Sequence, residues 1–493
     1  MSLSQLGQGP VSYDEFRQRV RRFRRSDALR AVASLAAQLQ RAAFQQGPPI
    51  QLPDYVSEFS LAGVARTALI AANEHRDQPL SRHDLVVLCG YYLNVADPAL
   101  NDMAGLDRLR QLMSRIVFEQ FGFQYSLMEN VGRTLSLLLD QATHCENAPT
   151  AEEWTRALGA PLEHFMRTGL ALHVAIVQND GAISRELLRA DHVAPIFAPL
   201  SADEALDIAD RLFVRTPEEL AIWGRQWEIA GREKWSPNPL QSWPLVGIGD
   251  DLVGPSPRYI MDRITPTGLY FIGLEAFGRR FTDALGCMFE RYVGAQLRLL
   301  RDAAVHDQVV YGSPERKTTD FFIVTDKVVV LVEVKASRPV LATRVGQPEG
   351  DQDIAAKIGN ARGQIVATAR MIEDGHPAVA HIPSDRPLRG LVVTLEPFFL
   401  VQTFLYEEVL GEAHVPIIIA SAHELEGVVA ILSGRQDVGE RLLRALTPRP
   451  PSPHEPPSPP SLSAAVKDLA KVTNPILSDC WDRFTEDMSA PPD

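Results

Sequence analysis

Asp320, Glu333 and Lys335 are the residues of this chain whose types and spacing are suited to chemistry. They lie in Thr319-Asp320-Phe321-Phe322-Ile323-Val324, then Thr325-Asp326-Lys327, then an apolar run from Val328 to Val332 that closes on Glu333-Val334-Lys335. The pattern predicts a β-hairpin turning at Asp326-Lys327. Strands this apolar usually exclude charge. Side chains alternate along a strand, so Glu333 and Lys335 project from one face and Val334 from the other. Two carboxylates that converge hold a hard cation such as Mg²⁺ through oxygen. A neighbouring ammonium orients water and stabilises charge developing on a phosphate. A plainer account stands beside this one. Asp320 would cap a turn, and Glu333 with Lys335 would be the charged end of an edge strand, where charge prevents edge-to-edge pairing.

Two helical patterns must position these residues. Leu285, Phe289, Val293, Leu297 and Leu300 form an apolar stripe over 282–300, with Glu290 at its margin. Ile354, Ile358, Ala361, Ile365 and Ile372 form another after the hairpin, with Gln364 beside it. Asp320, then Glu333-Val334-Lys335 thirteen positions on, with Glu290 before and Gln364 after, resembles the PD-(D/E)XK nuclease superfamily over about residues 265–435. The proline of the family name is replaced by Thr319, and the tyrosine of the RecB-like branch by Thr368. The resemblance implies a restriction-endonuclease-like mixed sheet flanked by helices and a Mg²⁺-dependent phosphodiesterase, with Mn²⁺ as substitute. It implies Asp320, Glu333 and Glu290 at the metal, Lys335 at the nucleophile, and Gln364 touching substrate or fixing Lys335. Nucleic acid is the expected partner, DNA ahead of RNA, in restriction or anti-phage defence. The rivals are a non-catalytic nucleic-acid-binding or regulatory protein that keeps the fold, and an assembly subunit in which the hairpin is ordinary core.

The 493 residues suffice for two or three domains, and 23% charged with 45% hydrophobic content is ordinary for a soluble globular protein. No apolar run reaches the length of a membrane span, and the first ten residues do not read as a secretory signal. Cys89, Cys145, Cys287 and Cys480 are scattered without a CxxC pair, so neither a zinc site nor a disulfide framework is expected. These features predict a cytoplasmic protein. The net charge of −13 argues against broad contact with a nucleic-acid backbone and leaves room for a local basic cleft. There is no P-loop, HExxH or GxSxG motif.

The expected fold class is α+β and multidomain. Residues 1–240 read as an all-helical recognition or regulatory domain, and 241–446 as the nuclease-like domain. Proline-dense 447–460 reads as an extended linker, and 461–493 as an acidic tail with a short amphipathic helix. Ser12 with Glu15 is a capping box. It opens a helix crowded with Arg17, Arg19, Arg21, Arg22, Arg24 and Arg25, read as phosphate-contacting or as a solvated face paired with acids. Trp223 and Trp227 stand i, i+4 and are expected in the core, ahead of a stacking platform for bases. The stripes 244–249 and 251–254 read as short strands joined by a turn. In the tail, Asn474-Pro475 starts a helix whose Leu477, Trp481, Phe484 and Met488 share a stripe. A helix that short folds only by docking. The surface it meets is expected to be this chain's own body or a protein partner, with the Arg17–Arg25 helix and the active cleft as the basic candidates.

Overall fold

The computed structural model describes residues 10–44, 51–96, 105–121, 127–448 and 460–486. The chain is α+β, with many helices and mixed sheets. The part that carries the candidate site is a five-stranded sheet. Helix α1 (Arg279–Leu297) precedes β1 (Ala304–Asp307), β2 (Phe321–Val324) and β3 (Val329–Lys335). Helix α2 (Asn360–Glu373) then crosses over to β4 (Leu388–Thr394), and β5 (Ile417–Ser421) leads directly into α3 (Ala422–Leu432). The spatial order is β5-β4-β3-β2-β1. β1, β2 and β3 are antiparallel neighbours, while β3, β4 and β5 run parallel.

The sequence dictates this arrangement locally. Val329–Val334 is buried on both faces, as a strand covered on each side must be. Val330, Val332 and Val334 join the core under α1, and Val329 and Leu331 join a second core under α2. The period of two is the one read from the sequence. The hairpin turn is built on Thr325, whose Oγ1 accepts from the backbone N–H groups of Lys327 and Val328 at 3.3 and 3.0 Å. Ala304–Asp307 joins the main sheet, and Val310–Tyr311 pairs with Arg316–Lys317 in a small hairpin of its own.

Four expectations are corrected. Residues 1–240 are not all helical: Ala182–Ser184 and Val214–Arg215 are strands. They pair with Asp251–Val253 and Leu245–Ile248, which do form the antiparallel pair expected there. Runs of three and two residues carry no readable period and become strands only through those partners. This sheet crosses residue 240, and so does the apolar core that extends from Val131 and Phe165 to Val332 and Phe484. Cys145 and Cys287 form a disulfide, 142 residues apart in sequence and invisible to spacing rules. The tryptophans are not core: Trp227 is 48% exposed, and Trp223, beside it and Trp243, is half-buried. Their i, i+4 spacing fixed a shared helix face but not which face the helix buries.

The tail helix α4 (Pro475–Glu486) does dock on the chain's own body, against Leu127–Leu135 rather than on the Arg17–Arg25 segment, which is not one helix: Tyr13–Val20 ends before Arg21 and Arg25 opens the next. Asn474 Oδ1 accepts from Ile476 and Leu477 N–H, capping the helix. Leu477, Cys480 and Phe484 are buried, and Trp481 is half-buried. Arg483 pairs with Asp140 at 2.8 Å. Met488 and 449–459 lie outside the described residues. In the arginine-rich segment Arg17 pairs with Asp14 and Arg24 with Asp27, as the solvated-face account expects, while Arg25 is buried and pairs with Glu74 and Glu218. No helix among the described residues is long and apolar enough to cross a membrane.

Candidate functional site

The hairpin register brings the charged residues together. Phe321 lies opposite Val332. One step further along the antiparallel pair sets Asp320 opposite Glu333 on one face, where Cβ atoms sit about 5 Å apart. That face is the one covered by α2. Asp320 Oδ2 accepts the Val334 N–H at 2.7 Å, which locks its carboxylate across the hairpin. Lys335 Nζ donates to Glu333 Oε1 at 2.6 Å. Glu333 is 1% exposed, and its second oxygen, Oε2, is buried with no hydrogen-bond partner.

Helix α2 sets the position of Asp320 through the two residues before it. Gln364 Nε2 donates to the Thr318 carbonyl at 2.8 Å, and the Thr319 N–H donates to Thr368 Oγ1 at 3.0 Å. Gln364 and Thr368 are i, i+4 and so act from one side of the helix. Gln364 is thereby joined to the backbone leading into Asp320, not to Lys335. Thr368 is a buried clamp whose role its sequence context did not reveal.

Glu290 reaches the site from α1. Its Oε1 accepts from Gln308 Nε2 at 3.1 Å, a partner that no motif marked. Burial raises the pKa of Glu290, and the charge of Asp320 raises it further, while Lys317 and Lys335 oppose. Burial also raises Asp320, against the Val334 hydrogen bond and the charges of Lys335 and Lys317. Glu333 is pushed up to about 7, first by burial and then by Asp320, with Lys335 opposing and Glu290 adding. Glu290 and Glu333 thus each feel the charge of Asp320. Exposed Lys317 is a fourth charged neighbour that the sequence reading passed over.

The donors are all oxygen, which suits a hard cation. Glu333 Oε2 is an orphaned anion-bearing atom of the kind a bound cation would satisfy, and repulsion among the carboxyls would be relieved by the same charge. The three do not close into a complete cage: among the described residues, no group of three or more His, Cys, Asp or Glu side chains is placed to hold a metal ion by itself. A Mg²⁺ ion is ordinarily held by one or two carboxylates, with waters and substrate phosphate completing its shell. Asp320 and Glu333 fit that requirement. Comparison with protein-family models, with curated proteins and with solved structures finds no match for this chain.

Proposed function

We propose that this chain is a metal-dependent nuclease of the PD-(D/E)XK kind, hydrolysing phosphodiester bonds in nucleic acid, with DNA ahead of RNA. The observation that carries the reading is Glu333: a buried carboxylate facing Asp320 across the hairpin, with one oxygen on Lys335 and the other unpartnered. The order of helix, three antiparallel strands, helix and parallel strand supports a restriction-endonuclease-like core. Asp320 and Glu333 would hold Mg²⁺, or Mn²⁺ in its place. The bound ion would supply charge neutralisation at the phosphate and a more acidic water. Lys335 holds the attacking water and stabilises the charge that grows on the phosphate oxygens. For that it must turn from Glu333, whose negative charge the cation would then share. Glu290, tied to Gln308, orients water from α1. Gln364 and Thr368 hold the strand that presents Asp320. A defence role is the biological setting the resemblance implies.

The test is an assay of the purified chain on single- and double-stranded DNA and RNA with Mg²⁺, Mn²⁺ or EDTA. Cleavage is expected with either ion and not with EDTA. Lys335→Ala should abolish it and keep Mn²⁺ binding, while Asp320→Asn should lose both. Wild-type turnover in Lys335→Ala would refute the role given to the ammonium. A second reading, a nucleic-acid-binding or regulatory protein on the same fold, is favoured by the incomplete metal cage. It predicts nucleic-acid binding without Asp320-dependent Mn²⁺ binding.

A further inference from the structure

The carboxyl end of the sheet carries more than the acidic residues. Past Lys335 the chain reaches Arg338, which is buried. Arg338 Nε lies 2.7 Å from Glu396 Oε1, and Arg344 meets Glu396 Oε2 at 2.5 Å. Glu396 stands just beyond β4, whose Thr394 is the register partner of Lys335. Arg338 also donates to the Thr267 carbonyl at 3.2 Å, which ties it to the helix Pro266–Phe277. Its guanidinium lies 4.5 Å from the ring centroid of Tyr270 and 4.8 Å from that of Phe271. Lys357 Nζ donates to the Arg338 carbonyl at 2.8 Å and pairs with Asp353. The cluster holds three cations against two carboxylates, an excess of positive charge in a chain of net charge −13.

Phe271 is 58% exposed, and Leu274, one turn on, is exposed too. An exposed phenyl ring backed by a fixed guanidinium has one face stacked and polarised and leaves aromatic surface open. Lys335 and Arg338 are three residues apart, so their Cα atoms lie within about 10 Å. In parallel sheets, ligands approach beyond the carboxyl ends of the strands, and this ring stands at that edge. We infer that Phe271, seated on Arg338, is the stacking position for an unpaired base of single-stranded nucleic acid whose phosphate lies at Lys335. The inference rests on the nuclease reading for the position of that phosphate. A base inside a duplex has both faces covered by its neighbours and cannot stack on Phe271. A chain this acidic cannot rely on tracking a long backbone, so a local aromatic anchor with a basic backing is what its charge allows.

The experiment measures fluorescence anisotropy in EDTA, where no cleavage is needed, with dye-labelled oligo-dT, oligo-rU and a hairpin duplex closed by a nucleotide-free linker as probes. Phe271→Ala should bind the single strands about tenfold more weakly, the scale of one base–aromatic stack. Its hairpin binding and melting temperature should be unchanged, and Phe271→Trp should restore strand binding. The oligo-dT and oligo-rU arms separate a DNA strand from an RNA strand. Equal losses on strand and hairpin, no loss on either, or a wild type that binds no single strand would overturn the inference. A wild type that binds single strands through Phe271 yet cleaves nothing with Mg²⁺ or Mn²⁺ would overturn the nuclease reading instead and leave the stacking seat standing.

Discussion

Replacing Glu333 with glutamine should make the protein more stable, and by an amount set by pH. Glu333 titrates at about 7 in the folded protein, against 4.5 for an ordinary glutamate, because burial and the Asp320 charge disfavour its ionised form. Below about pH 4.5 the group is protonated folded and unfolded alike, and the substitution changes little. As pH rises through this window the unfolded chain loses its proton while the folded chain keeps it, so folding stability falls. Above about pH 7 the loss is complete. The shift from 4.5 to about 7, at 1.36 kcal/mol per unit, amounts to ~3 kcal/mol. Glu333→Gln removes this cost. Urea unfolding in EDTA at about pH 5 and about pH 8 should therefore show the variant's advantage growing from small to ~3 kcal/mol. Added Mg²⁺ should narrow the gap by stabilising only the wild type. A stability difference that does not vary with pH, or one that favours the wild type more at higher pH, would refute the account of a strained carboxylate.

Three further outcomes follow from the packing. Glu426 accepts from Arg133 at 2.5 Å through both oxygens and from the Tyr292 hydroxyl at 2.6 Å, all buried. Glu426→Ala should therefore cost about 3–5 kcal/mol in urea unfolding, since it strands a buried guanidinium. A Cβ at Gly132 would lie 2.8 Å from the Leu477 carbonyl oxygen. Gly132→Val should destabilise by about 1–3 kcal/mol, with faster hydrogen exchange in Pro475–Glu486 than in the sheet; uniform exchange would show that the tail is not a separable unit. Cys287→Ala opens a 142-residue span; chain entropy sets the loss at about 5 kcal/mol at most, and an unchanged melting temperature with and without dithiothreitol would show that the bond contributes nothing.

The sheet was the legible part of the sequence. Its strands are short, near-continuous apolar runs and its helices carry full stripes, so the residues alone put Asp320, Glu333 and Lys335 on one hairpin. The capping box at Ser12 forms as read, because it depends on residues three apart. What sequence could not show depends on partners far along the chain. Gln364 finds the carbonyl of Thr318, 46 residues away, and Gln308 finds Glu290 through space. The Cys145–Cys287 bond and the strands at 182–184 and 214–215 have no local signal at all. The Trp223 helix shows the limit of periodicity, which identifies a helical face without saying whether solvent or protein covers it.

Helix α4 gives the folding of this chain a schedule. Asp140 and Arg483, which pair across this contact, are 343 positions apart. At about 5–20 residues per second of synthesis, the segment Leu127–Leu135 emerges roughly 17–70 s before its partner exists. Gln296 and the Glu426 carbonyl, both later bound by Asn474, wait in the same way. Through that interval the apolar surface that Leu477 and Phe484 will cover is open to water and to other nascent chains. Yield in the cell should therefore depend on how fast the distance from residue 135 to residue 475 is translated, and codon choice within that stretch becomes a determinant of how much protein survives to be folded.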